Sequence, residues 1–114
     1  QKEAQSLLPD LISIRRHIHE NPELSFQEFK TAEFVENKLK EMGIASQRLA
    51  TTGVVALIEG QNPTKKVVGL RADMDALPII EVQDGREYRS KNEGIMHACG
   101  HDVHTTSLLA QQEY

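Results

Sequence analysis

The stretch Ala45-Ser46-Gln47-Arg48-Leu49-Ala50-Thr51-Thr52-Gly53-Val54-Val55-Ala56-Leu57-Ile58-Glu59 decides which fold class this chain can adopt. Gly53 to Glu59 carries Val54, Val55, Leu57 and Ile58, an apolar and partly β-branched run too short for a helix, and reads as a strand. Ala45 to Ala50 is a weaker strand. Thr51-Thr52-Gly53 between them predicts a tight connection, and hence an antiparallel pair.

The sheet is needed because the residues before it form helices with one apolar face each. Across residues 4–20, Leu7, Leu11, Ile14 and Ile18 recur at helical spacing. Pro9 fits only the first turn of such a helix, and Asn21-Pro22 ends it, because a residue before proline avoids the α region. A second helix is predicted from Ser25 and Glu28, spaced as a capping box, with Ala32, Val35, Leu39 and Met42 along one face. Gly43 stands where a left-handed C-terminal cap is expected.

After the hairpin, Gln61-Asn62-Pro63-Thr64 reads as a turn. Lys66 to Arg71, with Val67, Val68 and Leu70, reads as a buried strand running into Asp73-Met74-Asp75. Ligands collect at the carboxyl ends of strands in open α/β sheets, so the two carboxylates are candidate site residues. On an extended segment they share a face and repel unless a cation stands between them. A solvated strand end accounts for the spacing equally well. Pro78 to Gly94 reads as polar loop, and His101 to Ala110 regains helical character through Val103, Leu108 and Leu109. The order helix, helix, strands, helix predicts an α/β layer structure.

The sequence His97-Ala98-Cys99-Gly100-His101-Asp102-Val103-His104 packs three of the five histidines and the single cysteine into eight residues. Imidazole and thiolate suit zinc, nickel, cobalt and related divalent ions. Cys99 and His101 flank a glycine that allows close backbone approach, and can aim at one point. Asp102 is placed to cap the following helix or to orient a ligand. A cysteine nucleophile draws its base from a distant part of the chain, whereas these histidines crowd one loop, which favours coordination. A buried thiol with surface histidines is the bland alternative. His17 and His19, beside Arg15 and Arg16 on the first helix, read as solvated.

Composition excludes several function classes. At 114 residues there is room for one small domain, and 39% hydrophobic with 26% charged residues is ordinary for a globular protein. The net charge of −4, with only Arg15-Arg16 and Lys65-Lys66 as adjacent basic pairs, gives no nucleic-acid footprint. No apolar run approaches the roughly 18 residues of a membrane span, and one cysteine forms no internal disulfide.

Four ordered motifs carry a resemblance: His19-Glu20-Asn21-Pro22-Glu23-Leu24-Ser25 with Glu28; Thr52-Gly53-Val54; Leu70 to Pro78; and Met96 to His104. In order and content they resemble the aminoacylase/carboxypeptidase metallopeptidase family, within the amidohydrolase branch of hippurate hydrolase, plant indole-acetyl-amino-acid hydrolases and N-acetyl-diaminopimelate deacetylase. The resemblance implies that residues 1–114 form the N-terminal part of a zinc-peptidase-like catalytic α/β domain, with the lid or dimerisation domain outside the chain. It implies one or two divalent ions per full-length subunit (Zn, Mn, Ni or Co), with Cys99 and His101 as ligands. Asp73 stands where other members carry a metal-ligating histidine, which argues against its ligation. Asp75 is expected to orient a ligand, and Asp102 and His104 to support the site. The general-base glutamate and the remaining ligands are expected beyond residue 114, so the chain alone is expected to be inactive.

The function implied is hydrolysis of N-acyl amino acids or peptides by a metal-activated water. A cysteine-nucleophile hydrolase and a non-catalytic binding module are the alternatives. A homodimer or higher oligomer in the cytoplasm is implied for the full-length protein. Because the chain begins at Gln1, removal of a signal peptide is the alternative.

Overall fold

The structure, a computed structural model, describes residues 2–61 and 65–112. The turn expected at 61–64 lies mostly outside the described residues. The elements follow the order α1 (Lys2–Glu20), α2 (Phe29–Glu41), β1 (Ser46–Leu49), β2 (Gly53–Ala56) and α3 (His101–Gln111). This is the expected α/β arrangement of two helices, a small antiparallel sheet and a helix after the histidine-rich loop. No helix among the described residues is long and apolar enough to cross a membrane.

Helix α1 begins earlier than its apolar stripe suggests and carries Pro9 in its interior rather than in the first turn. It ends before Asn21, whose amide nitrogen bonds Ile18 O at 3.2 Å and whose side-chain Nδ2 donates to His17 O at 2.8 Å, so these two carbonyls of the last turn are satisfied locally.

The start of α2 corrects the expected capping box. Glu28 occupies the N-cap but makes no side-chain cap hydrogen bond, and Ser25 is exposed. Glu23 reaches in from the preceding loop instead. Its carboxylate accepts Thr31 N at 2.6 Å, Thr31 Oγ1 at 2.7 Å and Lys30 N at 3.2 Å. An acidic group that takes two orphan amides at the positive end of a helix does the work of the box from five residues upstream of the N-cap. The C-terminus is as expected. Gly43 adopts φ 78°, Gly43 N bonds Lys40 O and Ile44 N bonds Leu39 O, which is a Schellman motif.

Strands β1 and β2 pair antiparallel in the register Ser46↔Ala56 to Leu49↔Gly53. Ala50 and Thr51 both have positive φ in the connection. A side chain at Gly53 would place Cβ 2.7 Å from the backbone oxygen of Leu49, so this position accepts only glycine without a shift.

The third strand expected at 66–71 does not form. Val67, Val68 and Leu70 are exposed, at 86%, 79% and 59%. An apolar run becomes a buried strand only when neighbours supply hydrogen bonds and a covering layer, and among the described residues none pairs with it. Asp73, past its end, is exposed and paired with Arg71 at 2.6 Å.

The core lies where the three helices meet: Ile14 and Ile18 from α1, Val35 and Leu39 from α2, and Leu109 from α3, with Val54 and Met74 packed against them. Helix α3 departs from the reading of its apolar positions. Val103 faces outward at 46% exposure, and the buried face is Asp102, Thr105, Thr106 and Leu109. A face so polar is stable only with partners on α1 and in the loops.

Candidate metal site

Two isolated bridges bring the motif-bearing segments together. Leu24 pairs in parallel with Ala76, and Leu77 pairs antiparallel with Met96. Ala76 N bonds Glu23 O at 2.7 Å, and Leu77 and Met96 exchange two backbone hydrogen bonds of 2.9 Å. Asp75 and the loop from His97 therefore arrive side by side. Thr105 Oγ1 adds a bond to Asp73 O at 3.0 Å, tying α3 to the same segment.

His101 opens α3 with its Nδ1 2.9 Å from Asp75 O and 3.0 Å from Asp75 Oδ1. Two acceptors at Nδ1 place an N–H there, so that in the neutral ring Nε2 is the lone-pair nitrogen, the tautomer a metal ligand requires. Nε2 has no hydrogen-bond partner among the described residues. Gly100 sits in the left-handed region at φ 85°, and a Cβ there would meet the His104 ring at 3.6 Å. The glycine thus turns the chain sharply into the helix beneath the His104 imidazole, whose centroid lies 5.9 Å from that of His101. Cys99, immediately before this turn, is a free and exposed thiol.

His97 is 4% exposed, and neither ring nitrogen has a hydrogen-bond partner. Burial pushes its pKa down to about 4, against the opposing charge of Asp102, so the ring is neutral at neutral pH. The carboxylate of Asp102 reaches α1 and the start of its own helix. Oδ2 lies 2.9 Å from His19 Nδ1 and 2.9 Å from Arg15 Nε, and Oδ1 accepts Val103 N at 3.0 Å. Burial raises its pKa, but the His19 hydrogen bond and the Arg15 charge outweigh this and hold the carboxyl below its ordinary value.

Sequence reasoning missed His19. Read as solvated, it is 1% exposed, with Nε2 2.8 Å from Glu81 Oε1 as well as Nδ1 on Asp102. The available signal was its position four residues after Arg15 and next to Ile18 in the apolar stripe. Glu81 came from a segment read only as loop, and its carboxylate also accepts Ser90 N at 2.7 Å. His17, by contrast, is exposed and stacks on Phe34 at 4.1 Å.

The donor chemistry fits a divalent cation as a partial set. Cys99 offers sulfur and His101 a free, oriented Nε2, while no group of three or more His, Cys, Asp or Glu side chains among the described residues is arranged to hold an ion. Asp75 and His101 also line an open groove of about 1390 Å³ bordered by the exposed residues Leu57, Val67 and Val68.

The fold and this loop point to a class, and residues 69–114 match the model of peptidase family M20/M25/M40. Among individual proteins, the chain is 49% identical to the hippurate hydrolase of Campylobacter jejuni over 96% of its own length and 30% of that protein's. It is 54% identical to the N-acyl-L-amino acid amidohydrolase of Geobacillus stearothermophilus, over 88% of the chain and 27% of the relative. The crystal structure of the Bacillus subtilis YxeP protein, described as a dinuclear metal binding peptidase from the M20 family, superposes with a TM-score of 0.87 and 41% identity, over 96% of this chain and 32% of that one. The chain thus spans about a third or less of the length of the proteins it matches.

Proposed function

We propose that this chain contributes Cys99 and His101 to the metal centre of an amidohydrolase that cleaves N-acyl amino acids or related linear amides. The observation that carries this reading is the fixed tautomer of His101. Asp75 occupies Nδ1 at 2.9 and 3.0 Å and leaves Nε2 free, one glycine away from an exposed thiol. Hydrolase names among the relatives, and the dinuclear metal site stated for YxeP, support the same chemistry.

A bound Zn, Mn, Ni or Co ion would supply Lewis acidity that polarises an amide carbonyl and acidifies water. The protein's own part is orientation. Asp75 holds the His101 ring, and losing such a partner typically costs about 10- to 100-fold in metal affinity or activity. Gly100, at φ 85°, lets the backbone turn sharply between Cys99 and His101. His104 covers that turn, and Asp102 acts on it through the helix start rather than by touching either donor.

In this reading residues 1–114 are the N-terminal part of a catalytic domain whose general base, remaining ligands and lid lie outside the chain. The full-length enzyme is a cytoplasmic homodimer or higher oligomer. Two donors hold an ion weakly, so the purified chain is expected to retain little metal and no activity. Elemental analysis that finds stoichiometric, chelator-resistant metal would contradict the partial set. In the full-length enzyme, Cys99→Ala is expected to remove most turnover of an N-acetyl amino acid; unchanged turnover with unchanged metal content rules out Cys99 as a ligand.

A further inference from the structure

His19 itself takes no part in the reading above, yet it stands between two buried carboxylates, those of Asp102 and Glu81. His19 lies in the last turn of α1, Asp102 in the first turn of α3, and Glu81 in the loop 78–94 closed off by the Leu77–Met96 bridge. Both carboxylates are almost fully enclosed, at 2% and 1% side-chain exposure. Their other contacts are hydrogen-bond donors or cations: Val103 N donates to Asp102 and Ser90 N to Glu81, Arg15 forms an ion pair with Asp102 at 2.9 Å, and Arg86 Nη2 lies 3.8 Å from Glu81 Oε1.

An ionised carboxylate only accepts hydrogen bonds. A neutral imidazole has one N–H and one lone pair, so between two carboxylates it would set a lone pair against an oxygen at less than 3 Å. A ring with protons on both nitrogens donates to both, and the charges of Arg15 and His19 then balance those of Asp102 and Glu81. The edge of the Tyr88 ring, 5.8 Å away, closes the remaining side, with Arg15, Arg16 and Arg86 around that ring.

We propose that His19 is a positioning residue for the candidate metal loop: an imidazolium clamped between Asp102 and Glu81 that fixes the first turn of α3, and so Cys99 and His101, against α1. The three tied segments are the ones that carry the loop. Asp102 follows His101 directly, Lys91 N bonded to Glu20 O at 2.8 Å ties the 78–94 loop to the end of α1, and Arg89 Nη2 bonded to Glu81 O at 3.0 Å braces that loop on itself. Only the meaning given to the loop rests on the metal-centre reading; the clamp itself does not.

The test is made on this chain without metal. Nitrogen-15 spectra of the His19 ring at neutral pH are expected to show both nitrogens protonated, and a single pyridine-like nitrogen overturns the clamp. His19→Gln keeps polarity but turns its oxygen toward one carboxylate. It is expected to speed amide exchange at Val103–Thr105 by roughly ten-fold or more, the scale of losing a hydrogen bond to a charged group. Exchange at Val35 and Leu39 serves as the reference for global opening. Equal acceleration everywhere, or none at the loop, overturns a positioning role. His19→Phe, which fills the space without donors, is expected to behave like the Gln variant at the loop; protection at the wild-type level in either variant refutes the proposal. Because no ion is involved, a Cys99 that fails to bind metal sinks the metal-centre reading and leaves these results standing.

Discussion

Glu23 should matter more to stability than either residue of the apparent capping box. Replacing it with alanine removes the acceptor for Lys30 N, Thr31 N and Thr31 Oγ1. Loss of a cap costs about 1 kcal/mol. The charge at the helix N-terminus adds roughly 0.3–1 kcal/mol, and the Thr31 hydroxyl, on a residue only 5% exposed, about 1 kcal/mol more. Glu23→Ala is therefore expected to cost about 2–3 kcal/mol, while Ser25→Ala, on an exposed residue, stays within about 0.5 kcal/mol. At roughly 4–8 °C per kcal/mol for a domain near this size, Tm falls by on the order of 10–20 °C in the first variant and barely moves in the second. Urea unfolding followed by far-ultraviolet circular dichroism measures both. Should Ser25→Ala match or exceed Glu23→Ala, the cap assignment is wrong.

Further outcomes follow from the packing. Leu39→Ala, at a site 5% exposed in the three-helix core, is expected to cost about 2–5 kcal/mol, against about 0.5 kcal/mol or less for Val103→Ala on the outer face of α3; denaturation midpoints that rank the two in reverse would refute the placement of α3. Gly53→Ala should destabilise the hairpin by roughly 1–3 kcal/mol, because Cβ would meet Leu49 O at 2.7 Å; an unchanged midpoint would show that the register differs. Burial raises the Glu81 carboxyl, but hydrogen bonds from His19 and Ser90 outweigh this and leave it below its ordinary value. Its stabilisation is therefore full above roughly pH 5 and is lost as pH falls through the folded value. Urea titrations between neutral and acid pH should show a shallower acid loss in Glu81→Gln than in the wild type, from a lower starting stability; parallel curves refute the linkage.

The sequence by itself determined the local elements. An apolar stripe, a proline after asparagine and a glycine at the helix end specify α1 and α2, because helix periodicity and termination depend on residues within one or two turns. The hairpin and its glycine were legible for the same reason, as was the crowding of Cys99, His101 and His104. Only the tertiary structure decided how these pieces use their polar groups. Glu23, five residues before the N-cap, caps α2 in place of Ser25. His19 is buried because Asp102, 83 residues on, and Glu81, 62 residues on, come to meet it. Residues 66–71 carry a strand's composition and remain unpaired, since composition cannot supply the neighbour that a strand requires. A side chain's propensity is a property of its own few bonds, whereas the cost of burying its charge or its backbone is set by whichever distant group arrives to satisfy it.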